Sequence, residues 1–310
     1  MGKPYQWHFE IKDLIPDKVN IDRLWIINGK LFLEKKGENL YAFLLGDEDE
    51  ALSGDKAAII NSYLQLASLL SYRAPALKDL GGRKLKSKSE FGDNTEIYLL
   101  FSKLQAVYPD EAIAEIQNHV PKYLLFLGNL LEKYINVINA NKFVELAIEY
   151  YYNAKIKNIY TDDGFISAMI SMEALFNEGP SDVKYKIAHR AAFLLGLIGN
   201  NPIEVFSKLN KYYNDRSKLI HGSGSPEYDS ARGDLLDYAR TSIIIFLSLL
   251  YAENNSKKDL LRKIDYAMLD PKERDALREE ICKNIGEFKL PVPRTFKGKG
   301  PNGEYKVTPW

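Results

Sequence analysis

An arginine and a histidine at the end of one apolar repeat are the residues in this sequence best equipped for chemistry. Apolar residues recur at Phe206, Leu209, Tyr213 and Ile220, and Arg216 occupies the remaining position of that 3-4-3-4 stripe. Gly222, Gly224 and Pro226 then stop the helix, which puts His221 in its last turn or just beyond. A guanidinium holds phosphate oxygens through directed N–H donors, and an imidazole moves protons near neutral pH. RNA brings its own nucleophile in the 2′-hydroxyl. A base that removes that proton and a cation that steadies the phosphorane are enough for strand cleavage. Arg216 and His221 are candidates for those catalytic roles by residue type, with Asn214 and Ser217 as candidate secondary donors. On an ideal helix five residues turn through about 500°, so the two side chains point ~140° apart. Tyr213, Ser217 and His221 do share a face.

Two further ions interrupt apolar stripes upstream. Over 183–198 the stripe is Val183, Ile187, Arg190, Leu194, Leu197, and over 163–177 it is Ile166, Ile170, Glu173. A buried ion without a partner costs several kcal/mol, so these groups must pair or reach a cleft. The expected arrangement is a Glu173–Arg190 scaffold beside Arg216, which leaves one positive charge to receive a phosphate. A purely structural Glu173–Arg190 pair that fixes helix register satisfies the same pattern.

Arg216-x4-His221 followed by Gly222, in a helical segment, resembles the Arg-x(4–6)-His signature of the HEPN superfamily, most closely its Apea-like branch. The likeness extends to Ser171–Phe176, Lys186–Leu195 and Tyr213–Gly222, in the order and at the intervals of that branch, and it covers about residues 140–252. Ser217 stands where such nucleases often carry a polar amide, and Ser223 stands where some HEPN toxins carry a tyrosine. The resemblance implies a metal-independent endoribonuclease that leaves 2′,3′-cyclic phosphate ends, a role in phage defence or toxin-like RNA cleavage, and a homodimer joined through the bundle. A catalytically silent HEPN module that binds nucleotide, RNA or a protein partner remains the alternative.

Composition bounds the remainder. Lys and Arg total 42 against 42 for Asp and Glu, so any RNA contact must come from a local patch. With a single cysteine, Cys282, the chain has no intrachain disulfide and no multi-cysteine zinc site, which fits a reducing cytoplasm. No His-x-x-x-His or paired aspartates stand at metal-ligand spacing, and there is no glycine-rich phosphate loop. Neither metal nor cofactor is expected. His119 and His189 read as ordinary histidines, and His8 is uninformative. The N-terminus lacks an apolar signal core, and the run Thr241–Ala252 is too short to span a bilayer.

The positioning elements follow from periodicity and breakers. The chain is expected to be mainly α. A smaller α+β region over 1–120 carries a β-hairpin or meander, read from Leu24–Ile27, Asn28-Gly29, Leu31–Leu33 and Leu40–Leu45. Asp47–Glu50 closes it as an acidic turn, 57–72 is helical, and Lys78–Lys88 is a basic loop. Tyr108-Pro109 and Val120-Pro121 are expected to end or kink helices. Helices near 110–119, 122–138, 141–157, 163–177, 183–198, 202–220 and 228–252 have short connectors, which predicts an antiparallel HEPN-like bundle over 121–254. The segment 255–310 adds a helical pair split at Asp270-Pro271 and a tail read as an extended basic arm.

Overall fold

The computed structural model describes residues 4–12, 21, 23–27, 31–36, 39–47, 55–70, 76–83, 110–157, 159–222, 232–253, 256–293, 296–300 and 303–307. They divide between two compact units, one drawn from 1–60, 77–126 and 291–310, the other from 61–76 and 127–290. The expected acidic turn at 48–50, the basic stretch 84–88, the segment 91–109 with Tyr108-Pro109, and the Gly-Ser loop after Gly222 lie outside the described residues.

In the first unit a five-stranded sheet runs in the order β2-β3-β4-β1-β5, with β1 at Pro4–Lys12, β2 at Leu24–Ile27, β3 at Leu31–Lys36, β4 at Asn39–Asp47 and β5 at Ala76–Arg83. β2, β3 and β4 form an antiparallel meander, as the apolar runs predicted, with Trp25 opposite Phe32 and Phe32 opposite Phe43. β4 then pairs antiparallel with β1. Leu31, Phe32 and Leu33 are buried in succession, so β3 is covered on both faces. The expected loop from Lys78 is strand as far as Arg83. Lysine and glycine counts suggested otherwise because they carry no information about an available sheet edge.

The tail corrects a second expectation. β6 (Phe296–Gly300) and β7 (Gly303–Val307) pair antiparallel as a hairpin, with Lys297 opposite Lys306 and Lys299 opposite Glu304. Phe296 is buried, its ring 5.5 Å from that of His119. Asn302-Gly303 is a hairpin signal that the prolines nearby conceal.

The described residues are otherwise mainly helical: α1 (Asp55–Leu70), α2 (Asp110–Ala140), α3 (Lys142–Ile156), α4 (Asp162–Phe176), α5 (Val183–Gly196), α6 (Pro202–Ile220), α7 (Arg232–Glu253), α8 (Lys257–Leu269) and α9 (Pro271–Ile285). α2 runs straight through Pro121, where two helices were expected. The proline forfeits one backbone bond, but Ile116, Val120, Tyr123, Leu124 and Leu127 keep an unbroken buried stripe on both sides of it.

Within the second unit α7 packs on α3, α4, α5 and α9, so it is the bundle's axis. Its Gly233–Glu253 segment is 21 residues long with mean hydropathy 1.4, long and apolar enough to cross a bilayer, yet 67% of its most apolar window is packed inside the unit. Helix starts are fixed chemically. Thr161 accepts from Gly164 N, Asn201 Oδ1 from Ile203 N and Glu204 N ahead of Pro202, and Asp270 from Lys272 N ahead of Pro271. Ser256 and Asp259 form a reciprocal capping box on α8.

Candidate functional site

α6 carries the chemistry because its buried stripe ends in an ion. Val205, Leu209 and Tyr212 are the buried positions, and Arg216 is the next residue along that line. The stripe expected from sequence is thus rotated by one residue: Phe206 and Tyr213 are half-buried flanks, and Ile220 is 53% exposed. Two apolar stripes one residue apart cannot be separated by spacing alone when Val205-Phe206 and Tyr212-Tyr213 are adjacent apolar pairs.

Arg216 is held by Glu173 of α4, with Nη1 3.0 Å from Oε2 and the arginine side chain 19% exposed. Its guanidinium carbon lies 5.9 Å from the Tyr213 ring centroid. Arg216 Nε is buried without a hydrogen-bond acceptor among the described residues, and Glu173 Oε2 has the ion pair but no hydrogen bond of good geometry. Buried donors left open are uncommon in settled structural pairs.

The expected Glu173–Arg190 pair is not formed. Arg190, 8% exposed, donates from Nε and Nη2 to the two carboxylate oxygens of Asp265 on α8, at 2.8 and 2.6 Å, and from Nη1 to the Phe176 carbonyl at 2.8 Å. It therefore locks the end of α4 to α8 through all three of its nitrogens. The charge count changes accordingly. Each arginine has its own carboxylate, so no positive charge is left over as the sequence suggested.

Asp265 left no trace in the sequence pattern because its side chain is 45% exposed and so does not disturb an apolar stripe. Lys257 at the start of α8 also belongs to this cluster. Burial holds its ammonium below the ordinary lysine pKa, against the opposing attraction of Glu178 and, more weakly, Glu173.

His221 caps the C-terminus of α6, exposed, its backbone N–H donating to Ser217 O at 3.1 Å. Gly222 follows with φ +64, the left-handed turn that lets the helix stop there. The helix is regular to Ile220, so the ~140° divergence of Arg216 and His221 persists in the folded chain. Asn214 is exposed and accepts from Lys184 Nζ of α5 at 3.4 Å, while Ser217 is half-buried.

Arg216, Glu173, Ser217, Asn214 and His221 thus gather at one end of α6, and Arg190 is tied to Asp265 instead. Among the described residues no three His, Cys, Asp or Glu side chains stand close enough to hold a metal ion. No family model, no curated protein and no solved structure matches this chain.

Proposed function

We propose that the C-terminal end of α6 is the working edge of a metal-independent endoribonuclease of the Apea-like HEPN kind, acting as a homodimer in the cytoplasm. The observation that carries this reading is the half-buried Glu173–Arg216 ion pair, with an open donor on the arginine, five residues before an exposed histidine at a helix end. In the reaction a base takes the proton of a ribose 2′-hydroxyl, the oxygen attacks the adjacent phosphorus, and the 5′-oxygen leaves with a proton. His221 exchanges the protons, and Arg216, fixed in orientation by Glu173, steadies the charge on the phosphorane. Asn214 and Ser217 supply further polar groups at the same helix end.

The divergence of Arg216 and His221 is answered by twofold symmetry, in which the arginine of one protomer meets the histidine of its partner at a shared phosphate. Defence or toxin-like cleavage, with the residues before about 120 as sensor or substrate selector, completes the proposal.

Two observations favour the alternative, a silent module that binds nucleotide, RNA or protein: Glu173 offsets the charge of Arg216, and Ser217 stands where the resemblance expects a polar amide. End-group analysis separates the two. RNA incubated with the protein in EDTA is expected to yield 2′,3′-cyclic phosphate and 5′-hydroxyl ends. Products with 3′-hydroxyl ends, or cleavage that stops in chelator, contradict the proposed chemistry, and binding with no cleavage at all supports the silent module.

A further inference from the structure

Tyr185 and His189, one turn apart on α5, stack face to face with ring centroids 5.0 Å apart and planes inclined by 16°. Phe206 of α6 meets both rings nearly edge-on, at 6.2 and 6.5 Å, and so holds the stack from the side. Yet Tyr185 is 54% exposed and His189 is exposed too. An ordered aromatic stack that the fold leaves in solvent offers a flat π-surface to a ligand.

Two lysines stand beside it, one on each side of Tyr185 in sequence, with Asp182 one turn before. Lys184 donates to the amide oxygen Asn214 Oδ1, and Lys186 to Glu178 O and Ser181 Oγ. Among the described residues neither ammonium has a carboxylate partner, so positive charge flanks the stack. π-faces beside cationic amines complement a strand that has unpaired bases and phosphates, and suit an aliphatic protein surface less well.

Phe206 also shares its helix face with the proposed cleavage end. At ~100° per residue Phe206, Asn210, Tyr213, Ser217 and His221 fall within about 80° of one another on α6. Fifteen residues at ~1.5 Å each put His221 ~22 Å from Phe206 along the axis. That is roughly six nucleotides of a strand stacked at ~3.4 Å per step, and fewer if it is extended.

We propose that this face of α5 and α6 is a track for single-stranded RNA, in which a base stacks on the Tyr185–His189 platform and the strand follows α6 to His221. The direction of the track rests on the ribonuclease reading above; the platform does not. Duplex RNA is excluded from it because paired bases hide the faces that would stack.

The test uses the whole protein and a 2′-O-methylated 12-mer, which lacks the attacking hydroxyl and stays intact, with a duplex of the same sequence beside it. Fluorescence anisotropy is expected to show tighter binding of the single strand. Tyr185→Ala should raise Kd roughly tenfold, the usual cost of losing one base-stacking ring. Tyr185→Trp should restore affinity, and Tyr266→Ala, at an equally exposed tyrosine of α8, should leave it unchanged. Circular dichroism confirms that the variants fold. Equal Kd for wild type and Tyr185→Ala overturns the track, as does a loss of dimer mass in Tyr185→Ala with RNA affinity unchanged, which makes the face a contact between copies.

Tyr185-dependent binding without cleavage of unmodified RNA leaves the platform standing and defeats the ribonuclease reading. Cleavage that depends on His221 but not on Tyr185 does the reverse.

Discussion

At the residue scale the decisive fact is which carboxylate each arginine holds. Glu173 and Arg190 were legible as misfits on helical stripes, but their partners were not, because Asp265 lies 75 residues from Arg190 and no spacing rule connects them. The exchange of partners has a measurable consequence. In double-mutant cycles Arg190 with Asp265, and Arg216 with Glu173, should each show coupling of about 1 kcal/mol or more, whereas Glu173 with Arg190 should be additive to within ~0.5 kcal/mol. Arg190→Ala alone should cost ~1–3 kcal/mol in chemical denaturation, since it leaves the buried Phe176 carbonyl without its donor while the half-exposed Asp265 is rehydrated. Strong coupling between Glu173 and Arg190 would contradict the pairing described.

Among the elements, helix ends written in short-range chemistry were readable in advance: Asn201-Pro202, Asp270-Pro271 and Gly222 mark boundaries that the folded chain keeps. Elements decided by long-range burial were not, as the unbroken α2 and the β6–β7 hairpin show. One contact between elements is sensitive to pH. Lys155 of α3 donates to the Ser68 carbonyl in the last turn of α1 at 2.7 Å, and Tyr151 donates to the same oxygen at 3.3 Å.

Burial and, after it, the nearby Arg240 charge lower the Lys155 pKa to about 7, against the opposing pull of Asp237. The folded chain therefore binds fewer protons than the unfolded chain between pH 7 and the ordinary lysine value, and stability rises with pH across that window. The unfolding free energy from urea denaturation should climb from pH 7 to 9.5, by up to ~1.4 kcal/mol per pH unit. Lys155→Met should flatten the slope and raise stability at pH 7. The window closes above that because burial pushes Tyr152 up to about 12, so further deprotonation favours the unfolded chain. An unchanged slope in Lys155→Met would show that the ammonium stays charged in the folded state.

At the scale of the whole molecule, neutral composition and an RNA substrate are compatible only if charge is gathered locally, and the proposed twofold axis would set two copies of the α6 end side by side. It would also bring together two side chains that one protomer directs ~140° apart. Subunit mixing in EDTA is the most direct test. Arg216→Ala and His221→Ala homodimers should each cleave RNA at least about a hundredfold more slowly than wild type. Mixed under subunit exchange, they should regain a measurable fraction of the wild-type rate, because some dimers then carry one intact arginine–histidine site. Wild-type rates from either variant alone, or full activity from a protein that light scattering shows to be a monomer, would contradict the account.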